Sequence, residues 1–268
     1  MHTDYETLKL ERYGEHVLIV YLDRPDFANA LNTQMGLDLR NLWRDLYVDQ
    51  EDVRCVVLTG AGTKAFCAGG DLKERNGMTD EQWQRQHAIF EQAILTMLDV
   101  PPPIIAACNG AAYGGGCEFV LAADFAYGAK SAKLALTEVT LGIMPGAGGT
   151  QFLPRAVGIR RAKEFLLTGT PCSANEAKDW GIFNKVCEDS DLLNEALTTA
   201  KRIASNAPIS IKQAKKALNV STQMDLKNGY AFEIEAYNRM VPTEDRKEGI
   251  RAFNEKRKRL LSLIHISE

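Results

Sequence analysis

The segment Ile104-Ile105-Ala106-Ala107-Cys108-Asn109-Gly110-Ala111-Ala112-Tyr113-Gly114-Gly115-Gly116-Cys117-Glu118 sets the architecture. It reads as a short buried strand running into a glycine-packed turn and then a helix of small residues from about Gly115. Similar units lie on either side. Residues 17–22 and 54–58 are β-branched-rich runs bounded by turn residues, which suits buried strands. Between them Leu31, Met35, Leu39, Leu42 and Leu46 recur at spacings of three and four, which predicts a helix with one apolar face. Further strand-like pieces follow near Phe125 and Leu134. The alternation implies the α/β class, a mostly parallel sheet with helices packed on it. From about Asp191 the pattern is wholly helical, over 192–203, 209–220, 226–239 and 245–259. The expected organisation is a core over 1–190 followed by a helical region over 191–259.

A chain of 268 residues, 45% hydrophobic and 25% charged, is long enough for one large core with a smaller helical appendage. Its 32 Lys and Arg against 35 Asp and Glu leave a net charge of −3, so no overall basic field draws in nucleic acid. The six cysteines contain no CxxC pair and read as free buried thiols of a reducing compartment. Charged residues such as Asp4, Glu6, Glu11 and Glu15 interrupt the N-terminal stretch, so a signal-peptide core does not fit. No apolar run approaches the roughly 18 residues needed to span a bilayer. A cytoplasmic protein with no membrane partner is expected.

Several chemistries are struck out by what the chain lacks. The four histidines (His2, His16, His87, His265) all lie more than 20 residues from the glycine turn, leaving a Ser–His or Cys–His nucleophile no evident base. His87 and Glu91 are four apart on a predicted helix, but without a second His they read as a solvated face, and no metal site is expected. GxSxG and GxxxxGK[ST] are absent. Gly60-Ala61-Gly62-Thr63-Lys64-Ala65 matches GxGxx[GA] after a strand, yet Gly69 and Gly70 fall where a dinucleotide fingerprint needs an unbroken helix.

The glycines support a different reading. Ala68-Gly69-Gly70-Asp71 and Gly114-Gly115-Gly116 both follow short strands, and small residues leave backbone N–H groups unshielded. Two such donors, one at a helix N-terminus, form a cradle for a negatively charged oxygen. Glu118 lies just past the second turn, and Glu138 precedes a further cluster, Gly146-Ala147-Gly148-Gly149. Paired carboxylates beside bare N–H groups point to acid–base chemistry on a carbonyl.

These residues resemble the enoyl-CoA hydratase/isomerase (crotonase) superfamily. The resemblance rests on Leu22-Asp23-Arg24-Pro25 with Asn29-Ala30-Leu31-Asn32, on Ala65-Phe66-Cys67-Ala68-Gly69-Gly70-Asp71-Leu72, and on Asn109-Gly110 with Gly114-Gly115-Gly116-Cys117-Glu118. It continues through Glu138-Val139-Thr140-Leu141-Gly142, Pro145-Gly146-Ala147-Gly148-Gly149-Thr150, and the late Ala252-Phe253 with Glu255-Lys256-Arg257. It covers nearly the whole chain.

The resemblance implies a crotonase-like spiral of ββα units and a C-terminal helical region that builds homotrimers or homohexamers. The backbone N–H groups of Gly70 and Gly115 would form the oxyanion hole for a thioester enolate. Ala68, Gly69, Gly70, Asp71 and Leu72 would contact CoA through their backbone, and Phe253 and Lys256 would approach the CoA of a neighbouring subunit. By the same resemblance Glu118 orients and deprotonates a water while Glu138 holds it and supplies a proton, so both hydratase glutamates are present. The implied activity is reversible hydration of 2-enoyl-CoA thioesters with no separate cofactor, since CoA belongs to the substrate. The alternatives are a Δ3-Δ2-enoyl-CoA isomerase, which needs one shuttling base, and a CoA-binding scaffold without catalysis. The runs Asp71-Leu72-Lys73-Glu74-Arg75 and Leu153-Pro154-Arg155-Ala156 look like the branch containing methylglutaconyl-CoA hydratases. Such a substrate carries an extra carboxylate that needs a cationic partner, and spacing alone identifies none. Residues 260–268 depart from the family pattern and read as an atypical tail or sequence-assembly scar.

Overall fold

A computed structural model of the chain describes residues 4–261. Residues 262–268 of the atypical tail, with His265, lie outside the described residues, as does His2. A hairpin of β1 (Leu8–Tyr13) and β2 (Val17–Leu22) leads into α1 (Thr33–Val48). Three successive strand pairs follow: β3 (Cys55–Gly60) with β4 (Ala65–Cys67), β5 (Ile104–Cys108) with β6 (Ala111–Tyr113), and β7 (Phe125–Ala129) with β8 (Lys133–Ala135). The first pair is followed by α2 (Leu72–Arg75) and α3 (Asp80–Asp99), the second by α4 (Gly115–Ala122), and the third by α5 (Gly149–Val157) and α6 (Ile159–Thr168). The chain then runs through β9 (Cys172–Ser173), α7 (Ala174–Asp179) and β10 (Lys185–Cys187). It ends in α8 (Leu192–Ala204), α9 (Pro208–Ser221), α10 (Leu226–Asn238) and α11 (Glu244–Asn254).

Each pair gives its first strand to one sheet and its second to another, which produces the spiral. The large sheet has the order β1-β2-β3-β5-β7-β10, parallel except for the β1–β2 hairpin. The small sheet has the order β4-β6-β8-β9, with β4, β6 and β8 parallel. Every residue of β3 and β5 is buried, which explains their apolar sequences, interrupted by Thr59, whose hydroxyl donates to the Ala107 carbonyl at 2.7 Å.

The apolar stripe of α1 is largely as its spacing predicts: Met35, Leu39, Leu42 and Leu46 are fully buried together with Trp43. Each such side chain contributes about 1.5–3 kcal/mol of transfer free energy. Leu31 does not belong to that helix. Asn32 caps it by accepting a hydrogen bond from the Met35 N–H at 3.0 Å, and Leu31 is extended, bridged to Gly70. The last predicted helix is also shorter than 245–259. It stops at Asn254, because Lys256 adopts a left-handed φ of 54° and the Arg257 N–H closes back onto the Ala252 carbonyl.

The first helix beyond residue 191 packs as part of the core. Leu192, Ala196, Leu197, Ala200 and Ala204 of α8 are buried in the central cluster. In contrast, α9, α10 and α11 each bury one residue and leave large apolar side chains in the open.

Candidate active site

The small sheet builds the site at one edge. Because β4, β6 and β8 run parallel, with Cys67 opposite Ala112 after a register shift within β4 and Tyr113 opposite Ala135, their C-terminal ends project the following loops to the same place. Those loops carry Gly70, Gly115 and Glu138.

The two glycine turns touch. A Cβ on Gly69, which has φ of 90°, would lie 2.7 Å from the Tyr113 carbonyl oxygen and 3.6 Å from the Gly114 Cα. Only glycine permits both this backbone conformation and this approach. The bridge to Leu31 fixes the adjacent donor. Leu31 N–H donates to Gly69 O and Asp71 N–H donates to Leu31 O, so the Gly70 N–H points to the opposite side. Gly115 is the first residue of α4, where N–H groups have no intrahelical acceptor. Among the described residues neither N–H donates to a protein group, so the predicted pair of donors is brought together unsatisfied.

Glu118 lies one turn into α4, only 2% exposed. Its Oε1 accepts hydrogen bonds from the N–H groups of Ala147 and Gly149, both at 2.8 Å. The second glycine cluster is therefore the holder of this carboxylate, a role its sequence did not specify. Burial pushes the Glu118 carboxyl up, the two N–H donors oppose that, and the charge of Glu138 adds to it, giving a pKa of about 7. Glu138 opens the 3-10 turn Glu138–Leu141 and is half-buried. A Cβ on Gly114 would stand 3.2 Å from its Oε1, which places Glu138 against the residue preceding Gly115. Its Oε2 is buried with no hydrogen-bond partner among the described residues, and burial raises its pKa.

The remaining predicted residues divide. Ala68 is exposed and Leu72 is 51% exposed beside Gly70, an accessible rim for a ligand. Asp71 is a structural group: it is buried, accepts from the Lys73 and Glu74 N–H groups to cap α2, and pairs with Arg24 at 3.0 Å. Burial works against its ionisation, but the Glu74 N–H and the Arg24 guanidinium hold its pKa below the ordinary value. Phe253 is 84% exposed on α11 and Lys256 follows that helix. Among the described residues no hydrogen bond or ion pair joins either of them to the loops carrying Gly70, Gly115 or the glutamates. Of the nearby basic residues, Arg257 is engaged elsewhere, its guanidinium gripping both oxygens of Glu248.

The dinucleotide-like glycines have a local explanation. Gly60 and Gly62 form the turn between β3 and β4, where the Asn109 amide donates to both carbonyls and its oxygen accepts from the Gly60 N–H. Sequence reading missed Arg75, which lies over Gly70. Its only signal was membership of the run 71–75.

Residues 12–261 match the family described as enoyl-CoA hydratase/isomerase. The chain is 40% identical over 250 residues to the short-chain-enoyl-CoA hydratase of Clostridium acetobutylicum, covering 93% of this chain and 95% of that protein. It is 40% identical over 244 residues to the (E)-benzylidenesuccinyl-CoA hydratase of Thauera aromatica, covering 91% and 94%. The crystal structure of an enoyl-CoA hydratase from Bacillus anthracis superposes with a TM-score of 0.93 at 43% identity, covering 95% of this chain and 98% of that one. Sequence, fold and site geometry agree: the chain belongs to the enoyl-CoA hydratase/isomerase family.

Proposed function

We propose that the protein is an enoyl-CoA hydratase that adds water reversibly across the 2,3 double bond of 2-enoyl-CoA thioesters. The observation that carries this reading is the meeting of two unsatisfied backbone donors, Gly70 and Gly115, with two carboxyl groups, the buried Glu118 and the half-buried Glu138 with its buried Oε2. The thioester oxygen sits between the two N–H groups, which stabilise the enolate charge as it develops; one such donor is worth about 3 kcal/mol in a transition state. Glu118, oriented by Ala147 and Gly149, takes a proton from the water that attacks C3. Glu138, with its unpartnered buried oxygen, holds the water and gives a proton to C2. Isomerisation requires one shuttling base, so the firm anchoring of a second carboxylate favours hydration. CoA enters and leaves as part of the substrate, along the rim formed by residues 68–72.

The protein acts as a homotrimer or homohexamer, with Phe253 and Lys256 closing over a neighbouring subunit's CoA. The open apolar side chains of α9 to α11 support that assembly.

Loss of conjugated-thioester absorbance on mixing with crotonyl-CoA tests the activity. Glu118→Gln and Glu138→Gln should each lower kcat by about 10²–10⁴-fold with folding intact. Near-normal turnover in either variant would remove that residue from the mechanism.

A further inference from the structure

The pair His87 and Glu91, whose spacing reads as a solvated helix face, reaches the loop that holds Glu118. His87 Nδ1 donates to Glu91 Oε1 at 2.9 Å, which fixes the ring on α3. The far edge of the ring abuts Gly146: a Cβ there would collide with Nε2 and stand 2.9 Å from Cε1 and 3.3 Å from Cδ2. Gly146 does not have a left-handed φ, so the approach of the ring, and not the turn, accounts for the absence of a side chain.

The loop under the ring has little else to hold its shape. Residues 144–148 belong to no helix or strand, and among the described residues their N–H groups donate to no backbone acceptor. The N–H groups of Ala147 and Gly149 go instead to Glu118 Oε1, both at 2.8 Å. Hydrogen bonds weaken steeply with misalignment, so a grip on a carboxylate is as precise as the segment that delivers it. The helix opposite is a firm base for a stop. Gln86 and Phe90, on either side of His87, are buried, and Phe90 packs on α1, where a Cβ on Gly36 would stand 2.7 Å from its ring. An ion pair four residues apart with side chains 34% and 51% exposed adds little stability, so its geometry is what distinguishes it.

We propose that His87 is a positioning residue for hydration: tied to Glu91, its ring seats the loop at Gly146 and so aims the Ala147 and Gly149 N–H groups at Glu118. The assignment rests on the hydratase reading and adds an outer support for its general base.

Crotonyl-CoA hydration by variants of this contact, measured across the acid limb of the pH–rate profile, provides the test. The two N–H donors favour the ionised Glu118 carboxyl, so slackening them raises its pKa. In His87→Ala the acid limb of kcat/KM should move to higher pH by about 0.5 unit or more, with the rate recovering above the limb. His87→Gln, a neutral side chain of similar reach whose amide can still donate to Glu91, should keep most of the wild-type profile. Gly146→Ala puts a methyl group where the ring sits, so either the ring or the loop gives way. Its loss and that of His87→Ala should therefore not multiply in the double variant. A wild-type limb or a uniform loss at every pH in His87→Ala, an equal shift in His87→Gln, or multiplying losses would overturn the proposal while leaving hydration intact. Absence of turnover in the wild-type protein would overturn it together with the hydratase reading.

Discussion

At the scale of single residues, the proposed hydration makes the protonation of Glu118 the control on when the site can work. Its carboxyl must be ionised to take a proton from water, and its pKa is about 7 because the cost of burying the charge outweighs the Ala147 and Gly149 donors. The sign follows directly: below pH 7 the group is protonated, so kcat/KM for crotonyl-CoA should fall about tenfold per pH unit on the acid side. The charge of Glu138 contributes to the upward shift. In Glu138→Gln that contribution disappears, and the acid limb of the residual activity should move to lower pH. A pH–rate profile of wild type and variant checks both statements, and an acid limb fixed in place by the substitution would show that the two carboxylates do not sense each other. Glu138 was legible as a candidate from its sequence setting. The anchoring of Glu118 was not, because the N–H groups of Ala147 and Gly149 lie about thirty residues away and reach it only through the packing of α5 on α4.

At the scale of elements, the site depends on helix α4 lying hard against strand β4. Gly116 makes that contact possible: a Cβ there would fall 2.1 Å from the Cys67 carbonyl oxygen and 2.8 Å from the Cys67 Cβ. The obstacle is backbone, so it cannot swing aside as a side chain would. Gly116→Ala should therefore push α4 away from β4, cost about 1–3 kcal/mol as an overpacked core does, and move the Gly115 N–H out of line with that of Gly70. A lowered thermal midpoint together with reduced kcat is expected. A variant of normal stability and activity would show that the close approach is dispensable. The strands and helices themselves were readable from periodicity because burial imposes it: two-sided burial of β3 and β5, one-sided burial of α1. The exceptions arose where a local conformation ended the pattern, as at Leu31, whose apolar side chain fits the helical spacing while its backbone serves the bridge to Gly70.

At the scale of the whole molecule, the last three helices are unfinished as a folding unit. Leu218, Leu226, Tyr230, Tyr237, Ile250 and Phe253 are all more than half exposed. Apolar surface of this extent marks an interaction face. In solution the protein should have a mass three or six times that of the 29.7 kDa chain, measurable by light scattering on a sizing column or by sedimentation equilibrium. A monomer at micromolar concentration would refute the assembly and, with it, the placement of Phe253 and Lys256 over a neighbour's CoA. No described helix is long and apolar enough to cross a membrane.

The sequence alone determined the α/β class, the helical C-terminal region, the two glycine turns and the two glutamates. Backbone freedom, burial and proton chemistry each restrict residue type locally, so they leave a mark in the order of amino acids. Only the tertiary structure decided which groups meet. The parallel register of β4, β6 and β8 brings residues 70, 115 and 138 together, the Gly146–Gly149 loop grips Glu118, and Arg75 is turned onto Gly70 by a buried amide. Those contacts join residues far apart in the chain through strand pairing and packing, which impose no spacing rule that a linear sequence can display.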